Sequence, residues 1–179
     1  GASELIGRMV CTISGVNSAT YINGSAQDYE VVEMGKARRY LSNLPLMLDD
    51  TASMDVKKIK SVAKMMRIKH NVGLLVVDYL QLISGGKKGY SREQEISAIS
   101  RGLKLMAKEL GIPVIALSQL SRESEKQGRK PRLSDLRDSG AIEQDADMVV
   151  MLHVAQEDRY KPVRPARIGI VANRAGPSG

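Results

Sequence analysis

Residues 73–83 read GLLVVDYLQLI, an apolar run broken by one aspartate, Asp78, and then resumed. Carboxylates are seldom buried without a partner, so an aspartate closing four apolar residues calls for a cation, a ligand or solvent. The run is short and continuous, and it predicts a buried strand over residues 74–78 with Asp78 at its carboxyl end. Open α/β sheets place their ligand sites at that end of the strands. A carboxylate there suits Mg2+ coordination beside a nucleotide, the Walker B role. The same pattern also arises in sheets that bind nothing.

The surrounding sequence supplies helices and further strands. Residues 3–14 place Leu5, Ile6, Met9, Val10 and Ile13 at helical spacing, and Cys11 reads as a packing residue on that helix. The stretch GVNSATYINGSAQD is polar and turn-rich, a second helix is expected over 29–41, and a short strand over 46–48. Residues 55–69 predict a helix with Val56, Ile59, Val62, Ala63 and Met66 on one face and lysines and arginines mostly elsewhere, a solvated outer helix in preference to a nucleic-acid surface. A long helix is predicted over 92–110, with Ile96, Ile99, Leu103, Met106 and Leu110 inward and Gly111 and Pro113 as stop signals. PVIALSQL and MVVMLHV at 148–154 read as strands, and the chain closes with a strand-like ARIGIVANRAGPSG. Helices interleaved with continuously apolar strands predict an α/β fold with a mostly parallel sheet covered on both faces, as one unit without a linker.

Composition narrows the chemistry. The chain has 179 residues, a net charge of +7 and a pI near 9.6, which fits a polyanion partner and equally a basic solvated surface. There is no Trp or Phe, which weakens any reading based on aromatic stacking against bases. One cysteine excludes an internal disulfide framework and a cysteine-rich zinc site, and His70 and His153 have no metal-ligand spacing. No apolar run approaches the ~20 residues of a membrane span, and no signal peptide is evident, so a soluble protein of a reducing compartment is expected, cytoplasmic in location.

Three other stretches can carry chemistry. PVIALSQL carries Ser118 and Gln119 at its end with Ser121 just past it, and a Gln so placed can sense a γ-phosphate or orient water; a strand end turning polar at solvent is the plain alternative. In SDLRDSGAIEQDADMVVMLH, the acidic residues Asp135, Asp138, Glu143, Asp145 and Asp147 are too many for a buried surface. Arg137 and Gly140 there fall at a loop or helix start whose amides suit a phosphate, or in an exposed capping segment. In VANRAGPSG, Arg174 beside a glycine turn can reach a phosphate of a neighbouring subunit, although an exposed Arg near a turn has little specificity.

Taken together, VVDYLQL, SREQEISAISRGLKLMAKELGIPVIALSQLSR, SDLRDSGAIEQDADMVVML and NRAGPSG resemble, in order and spacing, the C-terminal motor domain of the DnaB-type replicative DNA helicases. The resemblance covers nearly the whole chain and is most specific over 113–150. It implies a RecA-like P-loop NTPase core, a mostly parallel sheet flanked by helices and truncated at both ends, with 1–45 a helical, variable lead-in and 46–179 the core of one partial domain. By this resemblance Asp78 is the Walker B carboxylate that serves Mg2+ and ATP, Gln119 the γ-phosphate-sensing residue, and Arg174 the finger reaching the adjacent protomer's nucleotide. Arg137, Asp138 and Gly140 lie in a channel loop that follows single-stranded DNA, and Lys87 and Lys88 in the other channel-facing loop at 84–91. A hexameric ring, primase and a helicase loader are the implied partners.

The pattern is also incomplete. No GxxxxGK[ST] loop occurs: Gly35-Lys36 is followed by Ala37, and Gly86-Lys87 by Lys88. The expectation is therefore a piece of a longer motor, without ATPase activity alone. Ala172 stands where the family usually has a lysine two residues before the finger arginine, and Asp138 where it usually has glutamate. The rival readings are a non-catalytic RecA-like assembly or DNA-binding module and a RecA-type recombinase-related ATPase.

Overall fold

The computed structural model describes residues 1–84, 89–121, 129–136, 140–155, 157 and 166–173. The chain divides into two units, Gly1–Ala52 and Ser53–Gly179. No helix among the described residues is long and apolar enough to cross a membrane.

The first unit is helical: α1 (Ala2–Ser14), α2 (Ser18–Asn23) and α3 (Asp28–Ser42). Val10, Ala37 and Leu41 form its buried centre, with Ile6, Met9 and Met34 packed against them, and Cys11 is buried on α1 as its apolar neighbours imply. Helix α2 falls in the stretch expected to be turns. Its six residues are too few for a periodic signal, but Asn17 caps it by accepting from the Ala19 N–H at 2.8 Å. Gly24, in the left-handed region at φ 64°, ends it. The strand expected at 46–48 is irregular chain with all three residues exposed. A strand needs a partner for its ladder, and the described residues of this unit contain no other strand.

The second unit holds α4 (Val56–His70), β1 (Leu75–Val77), a 3-10 turn at Leu80–Leu82, α5 (Arg92–Leu110), β2 (Val114–Ala116), a second 3-10 turn at Leu133–Asp135, α6 (Gly140–Asp145), β3 (Met148–Val154) and β4 (Ala166–Asn173). Asp55 caps α4 by accepting from the Lys58 N–H at 2.8 Å. Ser91 and Gln94 cap α5 reciprocally, and Gly111 closes it at φ 63°. The inward face of α5 behaves as its spacing predicts: Ile96, Ile99, Leu103 and Met106 are buried. Gly102 lets α4 approach closely, since a Cβ there would stand 2.7 Å from Val56 Cγ1.

β1 and β2 pair in parallel, Leu75 with Val114 through Val77 with Ala116, while β3 and β4 pair antiparallel with an irregularity between Val149 and Val150. Both pairs lie on one core: Leu75, Val77 and Val114 from the first and Val149, Met151, Val171 and Ala172 from the second pack with Leu80, Ile96, Ile99, Leu103 and Met106. The continuously apolar strands predicted cover on both faces, yet among the described residues this face alone is covered. Leu74, Val76 and Ile115, and Met148, Val150, Leu152 and Ile168, are exposed. Alternate residues of a strand point to opposite faces, so an apolar run fixes the side chains' chemistry but not what covers the second face.

Candidate active site

Because β1 and β2 run in parallel and in register, their carboxyl ends meet at one edge. Asp78 follows Val77 directly, as predicted, but it does not close a buried strand. Among the described residues β1 is covered on one face alone, and Asp78 is exposed there with no hydrogen bond or ion pair. The Asp78–Tyr79 peptide bond is cis. Gln119, in the irregular chain beyond Ala116, is exposed at the same edge. Two of the predicted site residues are thus brought to the ends of adjacent strands.

The pairing continues past both strands. The Leu117 N–H donates to the Val77 carbonyl at 2.9 Å, and the Leu80 N–H to the Leu117 carbonyl at 2.9 Å. Gln81, on the 3-10 turn, extends it with its side chain: Nε2 donates to Ser118 Oγ at 3.1 Å, and Oε1 accepts from the Gln119 N–H at 3.3 Å. Arg92, the first residue of α5, donates through Nη2 to the Gln81 carbonyl at 2.5 Å. It also pairs with Glu95 at 2.8 Å. Sequence reading assigned no role to Gln81. The available signal was its position as the amide side chain within YLQLI, three residues past Asp78.

The chain after β2 is fastened by a second polar cluster. Arg129 grips Asp135 with both terminal nitrogens, Nη1 to Oδ2 and Nη2 to Oδ1, each at 2.6 Å. The Arg132 N–H donates to Oδ2 at 2.7 Å, and the Ser121 N–H to the Asp135 carbonyl at 2.7 Å. Leu120 bridges Leu136. Asp135 is buried, its side chain 5% exposed, against the reading of this acidic segment as surface. An acidic count describes a segment, whereas one member can be buried when a guanidinium and an amide satisfy it. The Arg129 guanidinium, aided by the Arg132 amide and opposed by burial, lowers its carboxyl from 3.8 to about 2.

Gly140 opens α6, and a helix start was one of the two placements expected for it. Lys87, Lys88, Arg137, Asp138 and Arg174 lie outside the described residues. Ala172 pairs with buried Val149 and packs against the core. Among the described residues no three His, Cys, Asp or Glu side chains gather into a cation cage. A single carboxylate at Asp78 fits Mg2+, which keeps water and phosphate as its other ligands and needs few from protein.

Residues 1–179 match the family model described as the DnaB-like helicase C terminal domain. The chain is 44% identical over 160 residues to the replicative DNA helicase DnaB of Rickettsia bellii (strain RML369-C), covering 89% of this chain and 32% of that protein. To the replicative DNA helicase DnaB of Leifsonia xyli subsp. xyli (strain CTCB07) it is 42% identical, covering 99% of this chain and 40% of the other. It spans a third to two fifths of the length of these curated relatives. Among solved structures, one described as an ATPase domain superposes with a TM-score of 0.88 at 36% identity, over all of this chain and 66% of that one. A DnaB-like replicative helicase studied for its interactions with primase superposes with a TM-score of 0.89 at 36% identity, over all of this chain and 46% of that one. With the family model spanning every residue, the chain belongs to the DnaB-like helicase C-terminal domain family.

Proposed function

We propose that this chain is part of the motor of a hexameric replicative DNA helicase, which unwinds duplex DNA by ATP-driven translocation on single-stranded DNA. The observation that carries the reading is the juxtaposition of Asp78 and Gln119 at the carboxyl ends of adjacent parallel strands, in a chain of this family. In this reading the two units belong to one partial RecA-like domain over 1–179. β1–β2 and β3–β4 are then pieces of a mostly parallel sheet, which their shared core favours.

Asp78 supplies the carboxylate for Mg2+, which when bound neutralises charge on the phosphates of ATP. Gln119 offers its amide to the γ-phosphate, and Arg174 supplies a cation to the nucleotide of the neighbouring protomer. Arg137 and the backbone around Asp138 and Gly140, with Lys87 and Lys88, follow DNA phosphates without reading bases. Primase is a further partner, an interaction named for one structural neighbour, and a helicase loader another. The setting is cytoplasmic.

ATP hydrolysis tests this. No GxxxxGK[ST] loop lies in these residues, so the chain alone should not turn over ATP, whereas the full-length protein carrying it should, with stimulation by single-stranded DNA. Metal-dependent hydrolysis by the clean 179-residue chain, or none by the full-length protein, overturns the reading. In the latter case a non-catalytic assembly or DNA-binding module takes its place. A RecA-type recombinase is disfavoured by the match of the helicase family model across the whole chain.

A further inference from the structure

Beyond Leu117 the chain leaving β2 has no ladder partner on β1 among the described residues, so the backbone that presents Gln119 needs another anchor. Gln81 supplies it from 38 residues away in sequence. A carboxamide has one side that accepts and one that donates, and here both are used on consecutive residues: the oxygen takes the Gln119 N–H and the nitrogen gives to the Ser118 hydroxyl. Two bonds to neighbouring residues fix both the position and the twist of the segment, which one bond cannot do. Gln81 is itself held from behind, because Arg92 donates to its carbonyl and its 3-10 turn rests on buried Leu80. The same short turn begins two residues after Asp78, so it ties the Asp78 end of β1 to the near side of Gln119, whose far side is held by the Leu120–Leu136 bridge.

We propose that Gln81 is a positioning residue for phosphoryl transfer, which holds the end of β2 so that the Gln119 side chain stands where it meets the nucleotide bound at Asp78. The inference rests on the helicase reading and adds a residue to it. Gln81 acts through Gln119 and need not touch ATP. Its loss therefore lowers turnover without weakening nucleotide binding to the same degree.

Steady-state ATP hydrolysis by the full-length protein, with saturating single-stranded DNA, tests this with Gln81→Leu, Gln81→Glu and Ser118→Ala. Gln81→Leu removes both side-chain bonds, and kcat is expected to fall about 10- to 100-fold, the scale of a small misplacement, with KM for ATP within about twofold. Gln81→Glu keeps an oxygen for the Gln119 N–H and a second that the Ser118 hydroxyl can donate to, and it should regain most of kcat. Ser118→Ala breaks one bond and should cost less; combined with Gln81→Leu it should add nothing further. A Gln81→Leu protein with wild-type kcat overturns the proposal, as does an equal loss of kcat and rise of KM in Gln81→Leu and Gln81→Glu alike. Should Gln81→Leu fail to fold, Ser118→Ala decides: a selective fall in kcat supports the proposal and wild-type kinetics overturn it. Absence of hydrolysis by the wild-type protein removes the helicase reading and this inference together, an outcome distinct from active wild type with unaffected variants.

Discussion

Replacing Asp135 with asparagine removes a charge while keeping shape, and the structure sets the size of the effect. The carboxylate receives two bonds from Arg129 at 2.6 Å and one from the Arg132 N–H at 2.7 Å. Asparagine retains one acceptor oxygen, enough for the amide or for one arm of the guanidinium. Lowering the carboxyl from 3.8 to about 2 corresponds to roughly 2 kcal/mol favouring the charged, folded form. Breaking a fully buried pair costs about 3–5 kcal/mol, but the Arg129 side chain is 27% exposed and can rehydrate. Both routes converge on about 2 kcal/mol for Asp135→Asn. Because the folded carboxyl is depressed, its contribution is complete above the unfolded value near 4 and is lost as pH falls toward 2. Urea unfolding of wild type and variant at about pH 6 and about pH 2.5 reads this directly. The difference should be about 2 kcal/mol at the higher pH and under about 1 kcal/mol at the lower. An equal difference at both pH values, or one below about 0.5 kcal/mol at the higher, refutes the assignment of the clamp to this ion pair.

Other perturbations follow from the same structure and sequence. Ile96 is fully buried at 0% exposure, and Ile96→Ala should destabilise the chain by about 2–5 kcal/mol in denaturant melts, whereas a cost under about 1 kcal/mol would show that the α5 core had been misjudged. Ala172→Lys in the full-length protein is expected to raise ATP turnover by adding a second cation beside Arg174. Since Ala172 packs against the core opposite Val149, the lysine stem has to pass out along that face, and an unchanged or lower rate counts against the role. Single-stranded DNA binding by the full-length protein should weaken steeply with salt, the slope in log–log form being about −0.7 per phosphate neutralised. Binding that does not change with salt removes Lys87, Lys88 and Arg137 from the DNA surface.

Residues that act through local chemistry were legible in the sequence. Ser91 and Gln94 at one end and Gly111 at the other bound α5 where predicted, because caps and stops are written within a turn of the helix. Asp78 and Gln119 could be placed at strand ends from two apolar runs alone. What escaped is long-range. Gln81 meets Ser118 and Gln119 across 37 and 38 residues, and no periodicity encodes such a bond. Asp135 looked like one acidic residue among several until its backbone neighbours and Arg129 enclosed it. The strand expected at 46–48 fails for the same reason, since propensity names the candidate while pairing decides. The exposed outer faces of β1–β2 and β3–β4 carry the opposite lesson: apolar strands announce a core without saying how many sides it has.

Strand separation by the full-length protein, wild type against Asp78→Asn, tests most directly the proposal that Asp78 serves Mg-ATP in a DNA-translocating motor. The wild type should separate a forked duplex in the presence of Mg2+ and ATP, and Asp78→Asn, an exchange of nearly equal size at an exposed site, should fold normally but lose about 100-fold or more of both unwinding and ATP turnover. Unwinding by Asp78→Asn at the wild-type rate would contradict it.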